Sequence, residues 1–158
     1  DALASLEQGL TDFRAGGMRL LETYFLSTLA EAQSRLGQTS QGLTTLEQAL
    51  QAVEESDERF WQAELHRLEG ELRAALSPAP ERDERVEQAY EQALEVARRQ
   101  GARSLELRAA TSLGDLWSRR GEPARARRLV AEVYDAFTEG FDIADLVRAR
   151  SLLEAWAA

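Results

Sequence analysis

The chain has 158 residues, a net charge of −9 at pH 7 and no cysteine. At this length folding buries roughly 70% of the surface of the unfolded chain, so a core can form without a disulfide or a metal. The absence of cysteine excludes disulfide frameworks, thiolate nucleophiles and cysteine-based zinc sites. No apolar run approaches the ~20 residues of a membrane span, and the first residues lack the pattern of a signal peptide. We therefore expect a cytoplasmic protein that does not bind membranes.

The basic residues are all of one kind. The 19 positive side chains are arginines, lysine and asparagine are absent, and Ile143 is the only isoleucine. Residues with AT-rich codons are thus missing, which indicates a GC-rich bacterial genome rather than a function. The excess of acid argues against general nucleic-acid affinity, because that affinity depends on neutralising phosphates.

Apolar residues recur every three or four positions along the chain, which is the spacing of amphipathic helices. No segment alternates with period two, so we predict an all-α fold. Gly37 and Gly121 suit left-handed positions after a helix, Pro123 suits a first turn, and Asp142 can accept N–H bonds as an N-cap. In chain order the predicted helices are 2–15, 18–36, 40–56, 58–76, 81–100, 102–120, 123–137 and 143–157.

Three columns of small or apolar residues recur with one irregular spacing. Successive members are 40, 44 and 40 residues apart, and the helix breaks at Gly17, Asp57 and Gly101 follow the same 40 and 44. The four extra residues fit the loop 77–80, because its two prolines cannot continue a helix interior. Such a period is typical of repeat architectures. The columns are Ala2, Gly42, Val86 and Ala126; Leu6, Leu46, Tyr90 and Val130; and Gly9, Ala49, Ala93 and Val133.

One stretch carries the order of residues of a tetratricopeptide repeat. Gly114 is followed by Trp117, then by Gly121 and Ala126. This resemblance predicts a right-handed α-solenoid of about eight helices in antiparallel pairs. The period near 40 departs from the usual 34 and borders on HEAT-type repeats, but a small residue at the position of Gly114 favours tetratricopeptides. Since a mid-helix glycine costs about 1 kcal/mol, we expect Gly70 and Gly114 where two backbones approach closely.

The repeat register divides the chain, which we predict to be a single domain over 1–158. Residues 1–16 fit the second helix of a preceding repeat that lacks its partner, so we expect the chain to be the tail of a longer protein. Residues 141–158 are predicted to form a C-terminal capping helix. The repeats between them are 17–56, 57–100 and 101–140.

Longer segments resemble the C-terminal tetratricopeptide region of bacterial multidomain signalling proteins. These are class III adenylate/guanylate cyclases fused to a predicted ATPase, and STAND-type regulators with LuxR-like heads. The resemblance implies a sensor or docking arm, with any catalytic part upstream, since neither GxxxxGK[ST] nor a cyclase's metal-binding aspartate pair is present. The similar segments include GLTDFRAGGMRLLETYFLSTLAEAQSRLGQ, ERFWQAELHRLEGEL, ALEVARRQGARSLELRAATSLGDLW and VYDAFTEGFDIADLVRARSLL.

The register also predicts a binding groove. In tetratricopeptide folds the first helix of each pair lines the concave face through defined positions. The ninth positions are acidic in all three repeats, which suits an extended peptide or a helix bearing basic residues. The predicted groove residues are Tyr24, Glu64 and Arg108 (second position), Ser27, Arg67 and Thr111 (fifth), Glu31, Glu71 and Asp115 (ninth), and Arg35 and Arg119 (thirteenth).

The sequence gives little indication of catalysis or of metal binding. His66, the only histidine, is expected to be a packing residue between the fourth and fifth helices, because no acid or nucleophile is indicated within its reach. One histidine and scattered acids give no metal-ligand spacing, so we predict no metal, cofactor or catalytic residue. The segment from Arg98 to Arg128 contains nine arginines and only three acids. The first interpretation is that these arginines pair with the acidic neighbouring repeat or stay hydrated, the second is docking of an acidic partner, and the third is nucleic acid.

The sequence therefore predicts a protein–protein interaction scaffold and not an enzyme. Its partner is a protein or peptide. The alternatives are an intramolecular arm that packs on the parent protein's own upstream domains, and a module for self-association, so the oligomeric state stays open.

Overall fold

A computed structural model describes residues 2–15, 21–56 and 59–157, without the side chains of Ala2 and Arg14. Within these ranges the chain contains helices and no strand, which confirms the predicted all-α class. None of the described helices is both long enough and apolar enough to cross a membrane. The helices are α1 (Ala2–Ala15), α2 (Glu22–Arg35), α3 (Thr39–Ser56), α4 (Gln62–Leu76), α5 (Glu84–Gln100), α6 (Arg103–Arg119), α7 (Pro123–Tyr134) and α8 (Ala144–Ala155), with a 3-10 turn at Pro80–Arg82.

Helices α2 and α5 begin later in the chain than predicted. Leu21 has a φ of 72°, in the left-handed region, so α2 begins after it and not at residue 18. Before α5, the chain forms the 3-10 turn and then Asp83, whose carboxylate accepts a hydrogen bond from the Arg85 amide at 3.1 Å. This cap starts α5 at Glu84 instead of residue 81. The predicted breaks at Gly17 and Asp57 lie outside the described residues.

The cap predictions are confirmed at three positions and wrong at one. Gly37 and Gly121 follow their helices with φ of 81° and 89°, and Pro123 is in the first turn of α7. Asp142, however, is not the N-cap of α8. Ile143 takes that position and makes no side-chain cap bond.

The order of helix contacts separates two sets of helices. Each of α2, α4 and α6 packs against the helix that follows it. In addition α2 contacts α4, α4 contacts α6, and α6 contacts α8. In the described ranges the backbones of α3, α5 and α7 do not approach one another closely, and α5 and α7 meet through side chains, as in the ion pair of Arg98 with Glu132 at 3.4 Å. Helices α2, α4, α6 and α8 therefore lie side by side and share one surface.

The recurring columns of the sequence supply the core. Members of the columns on α3, α5 and α7 are all buried, whereas Gly9 on α1 is exposed and Leu6 is partly buried. The apolar core forms one cluster in α1–α4, another in α5–α8, and a third, small cluster of Ala63, Val96 and Ala97 between α4 and α5. The buried column residues are Gly42, Leu46, Ala49, Val86, Tyr90, Ala93, Ala126, Val130 and Val133.

The two mid-helix glycines make room for side chains, which corrects the expected close approach of backbones. A Cβ at Gly70 would lie 2.5 Å from the ring of Tyr90, and one at Gly114 would lie 3.0 Å from the indole of Trp156. A close backbone approach occurs instead at Gly42, where a Cβ would lie 2.8 Å from the carbonyl oxygen of Ala30. Positions 70 and 114 are therefore small because the aromatic rings of Tyr90 and Trp156 occupy the space beside them.

Helices α5 and α6 are joined by a polar contact at Glu87. The indole N–H of Trp117 and the guanidinium of Arg120 each donate to its carboxylate at 2.6 Å. The guanidinium of Arg125 stacks on the Trp117 ring, 3.6 Å from its centroid. Burial alone would raise the pKa of Glu87, but the hydrogen bonds from Arg120 and Trp117 outweigh it and lower the pKa.

Replacing Gly70 by alanine should destabilise the fold. The new methyl group overlaps the Tyr90 ring, and overpacking costs about 1–3 kcal/mol, more than the ~1 kcal/mol that alanine gains in a helix. Gly9→Ala is the matched control, because no atom lies within 4 Å of its Cβ position, and it should be stabilising. Urea unfolding of the two variants measures both effects, and a stabilised G70A protein would contradict the packing described.

Glu87→Gln should reduce the loss of stability in acid. Because the folded pKa of Glu87 is lowered, its ionised form stabilises the fold above the unfolded pKa of about 4.3 and this contribution disappears as the pH falls through the folded pKa. The variant should be less stable than wild type at pH 7, and the difference should shrink below pH ~4. Urea midpoints measured at several pH values test this, and a difference independent of pH would contradict it.

Candidate functional site

The surface shared by α2, α4, α6 and α8 contains a cleft of about 400 Å³, here called the main cleft. Seven of the eleven predicted groove residues line it, contributed by three different helices. Their burial differs: Tyr24 is exposed, whereas Ser27, Glu64 and Thr111 are buried. The seven residues are Tyr24, Ser27, Glu31, Glu64, Arg67, Arg108 and Thr111.

Three further predicted residues line a second, smaller cleft of about 230 Å³. They are Glu71, Asp115 and Arg119, and the ring of Tyr90 forms part of the same wall. Arg35 lines neither cleft; its side chain is 79% exposed and lies 3.6 Å from Glu31. The structure thus brings most of the predicted residues onto one surface but divides them between two clefts.

A buried ion pair lies at the base of the main cleft. Arg67 and Glu64 are only 8% and 5% exposed, and the guanidinium donates two hydrogen bonds to the carboxylate at 2.9 and 2.8 Å. Arg67 also donates to Glu71. Burial lowers the pKa of Arg67, but the hydrogen bonds and charges of Glu64 and Glu71 outweigh it, so the pKa is raised.

The same network continues to α6 and α8. The guanidinium of Arg108 donates to Asp145 at 2.6 Å and lies 3.5 Å from Glu64. Burial alone would lower the pKa of Arg108, but the hydrogen bond to Asp145 and the charges of Glu64 and Asp145 outweigh it, so the pKa of Arg108 is raised. A continuous chain of charges therefore connects α4, α6 and α8, and Asp145 was not predicted to be part of it.

Each member of the predicted acidic series is paired with an arginine on its own helix. Glu31 lies 3.6 Å from Arg35, Asp115 lies 2.7 Å from Arg119, and Glu71 accepts a hydrogen bond from Arg67. The negative charges of these acids are therefore balanced by arginines, so the three acids do not form a negatively charged surface. Glu31 has the longest of the three ion-pair distances.

Arg148 belongs to the two clefts but was not among the groove residues predicted from the sequence. It lines both of them and is exposed, and it has no ion-pair partner in the part of the chain that the structure describes. Its neighbours Leu146 and Ala149 are buried and fix α8 against the core. Because α8 was predicted only as a capping helix, Arg148 was not assigned to the groove, although the charges at positions 145 and 148 share one helix face.

One end of the main cleft is aromatic. The rings of Tyr24 and Trp61 meet edge to face, with centroids 5.3 Å apart, and the Trp61 indole N–H donates to the Ser27 hydroxyl at 2.9 Å. Phe25 and Phe60 contact Tyr24 and Trp61, respectively. Tyr24, Phe25 and Phe60 are all exposed, so this end presents aromatic surface to a ligand.

His66 lies away from both clefts, in a surface depression between α4 and α5. It is half-buried, as a packing histidine should be, and its ring nitrogen is 3.5 Å from Glu69. The hydrogen bond from His66 lowers the pKa of Glu69 against the opposing effect of burial, and Arg73 lowers it further. No group of three or more potential metal ligands is present in residues 2–15, 21–56 and 59–157.

Most of the nine clustered arginines are paired, as the first interpretation expected. Arg98 contacts Glu106 at 2.9 Å and Arg120 contacts Glu87. Arg103, Arg127 and Arg128 are exposed and have no ion-pair partner among the described side chains. The paired members are Arg98, Arg99, Arg108, Arg119, Arg120 and Arg125.

Neither the protein-family models nor the curated protein sequences give a significant match to this chain. Its function is therefore argued from the two clefts and their contacts.

Glu64→Gln should destabilise the protein strongly. It leaves the buried Arg67 guanidinium with one carboxylate instead of two, and breaking a buried pair costs about 3–5 kcal/mol. Glu31→Gln is the control, since its pair with Arg35 is exposed and should contribute less than about 1 kcal/mol. Urea unfolding compares them, and equal losses would show that the Glu64–Arg67 pair does not act as a buried pair.

Proposed function

We propose that this chain is a tetratricopeptide-like, right-handed α-solenoid of antiparallel helix pairs and works as a protein-interaction module. A segment of a partner polypeptide binds in the main cleft. One observation carries this proposal: seven of the eleven residues that the repeat register assigns to the groove, taken from three repeats, line a single cleft. A register without structural meaning would scatter them over the surface.

The side chains of the main cleft suit a polypeptide ligand. Both charged groups and hydroxyls line its wall, so the carbonyl and amide groups of an extended segment can find hydrogen-bond partners. The exposed aromatic end offers rigid contact area, and aromatic residues together with arginine are enriched where protein interfaces are strongest.

The same contacts argue for binding rather than catalysis. Ser27 and Thr28 both donate their hydroxyls to the carbonyl of Tyr24, and Thr111 donates to that of Leu107. A nucleophilic hydroxyl needs an adjacent base, and these hydroxyls donate to main-chain carbonyls instead. The carboxylates of Glu64 and Asp145 are bound to arginines.

The role in a larger protein follows from the sequence resemblance. Segments similar to the tetratricopeptide region of bacterial signalling proteins cover most of the chain, so the module is proposed to be the docking arm of such a regulator, in the cytoplasm. The contacts of α2, α4 and α6, each with the helix that follows it, support this proposal, because a repeat array is a stack of such units.

Selection of displayed peptides on the purified chain tests the proposal. Each recovered peptide is then measured by calorimetry on wild type, on a Tyr24→Ala/Arg148→Ala variant and on a control. Both substituted residues are exposed and line the cleft, so their loss should weaken binding at least tenfold without unfolding the protein.

Arg127→Ala/Arg128→Ala is the matched control, because both residues are exposed and lie on α7, outside the main cleft. Peptides should bind this variant as they bind wild type. Failure to recover any peptide, or recovery of peptides that bind all three proteins equally, would count against the cleft as a polypeptide site.

A further inference from the structure

The aromatic end of the main cleft has a fixed geometry. The indole of Trp61 is held by its hydrogen bond to Ser27, and the Ser27 hydroxyl itself donates to the carbonyl of Tyr24 at 2.7 Å. Tyr24 then packs edge to face on the indole. This arrangement keeps Tyr24 42% exposed, so aromatic surface is held in place at the wall of the cleft.

The main cleft also contains a carboxylate from the helix that carries Tyr24 and Ser27. Glu31 is one helical turn beyond Ser27, and side chains four residues apart on a helix are neighbours, with about 5–6 Å between their Cβ atoms. Trp61, whose indole is bonded to Ser27, and Glu31 line the same cleft.

Glu31 is also the carboxylate of the main cleft that is most easily exchanged. Its side chain is 41% exposed and its partner Arg35 is 79% exposed at a distance of 3.6 Å. Exposed pairs at this helical spacing contribute only about 0.3–0.5 kcal/mol. In contrast Glu64 and Asp145 form short contacts with arginines inside the network.

Aromatic faces carry negative potential and attract cations. The described residues contain one stacked cation, Arg125 on Trp117, and it lies outside the main cleft. Tyr24 and Trp61 have no such cation among the described arginines. The aromatic end thus combines two features that a cation would satisfy, the exposed aromatic side chain of Tyr24 and the exchangeable carboxylate of Glu31.

We propose that Tyr24, Trp61 and Glu31 form a receptor for a cationic side chain, an arginine or a lysine, of the partner polypeptide. The cation lies against the rings and replaces Arg35 as the partner of Glu31. This inference rests on the proposed function, because it names the chemistry of the segment that the cleft binds.

The charges along the cleft also give the segment a direction. Arg148, on α8, is the unpaired cation of the described cleft residues and repels a positive side chain. The cationic residue of the partner is therefore placed at the α2 end of the cleft and away from α8. The net charge of −9 further favours the approach of a basic segment.

A pair of short peptides tests the inference by nuclear magnetic resonance. The probes are acetylated and amidated pentapeptides with four alanines around a central arginine or a central citrulline, its neutral isostere. Both are titrated into the full chain labelled with ¹⁵N. The arginine peptide should cause a saturable shift of the Trp61 indole N–H, and the citrulline peptide should bind at least threefold more weakly. The indole signals of Trp117 and Trp156 should stay unchanged.

Two substitutions identify the contacts. Tyr24→Leu keeps an apolar side chain but removes the ring face, and Glu31→Gln keeps the shape but removes the charge. Each should weaken binding of the arginine peptide about threefold or more. Glu47→Gln, an exposed acid on α3, is the matched control and should leave binding as in wild type.

Equal binding of the arginine and citrulline peptides, no saturable shift at Trp61, or affinities unaffected by Tyr24→Leu and Glu31→Gln would each overturn the inference. The proposed function fails separately. If selected peptides bind the main cleft but need no cationic residue, only the inference is wrong, whereas a cleft that binds no peptide removes the proposed function as well.

Discussion

The buried guanidinium of Arg67 sets the constraint on which the cleft depends. A charge taken out of water is costly unless carboxylates surround it, and Glu64 and Glu71 supply them from the preceding and following turns of the same helix. Glu64 in turn lies within reach of Arg108, which holds Asp145 on α8. These ion pairs connect α4, α6 and α8 and thereby fix the positions of the three helices relative to one another.

This network divides the predicted groove residues into two kinds. Glu64, Arg67 and Arg108 satisfy one another, so their charges are used within the protein and their main role is to position the walls of the cleft. Tyr24 and, from α8, Arg148 remain exposed, and Glu31 is half-buried. Arg148 has no ion-pair partner among the described side chains, and Glu31 is paired only with the exposed Arg35. Whether a groove residue is available to a ligand therefore depends on its burial and its ion pairing, and not on its position in the helix.

Much of the fold could be predicted from the sequence because it depends on local chemistry. Gly37 and Pro123 act through their own backbone preferences, and the apolar spacing identifies the faces that become buried, such as Val86 and Val130. Predictions failed where the cause is distant. Nothing near Gly70 in the sequence reveals the Tyr90 ring, and nothing near position 148 shows that α8 turns its charges toward a cleft formed by α2, α4 and α6.

Each described helix contacts only helices one or two places away from it in the chain. Such a molecule has low contact order, since its contacts close short loops, and chains of this kind fold quickly and from more than one starting point. The separate apolar clusters of α1–α4 and α5–α8 supply two such starting points. The same locality makes the architecture extensible: a helix pair can be duplicated or lost in evolution without breaking a distant contact, so the cleft can change its length while keeping the chemistry of its walls.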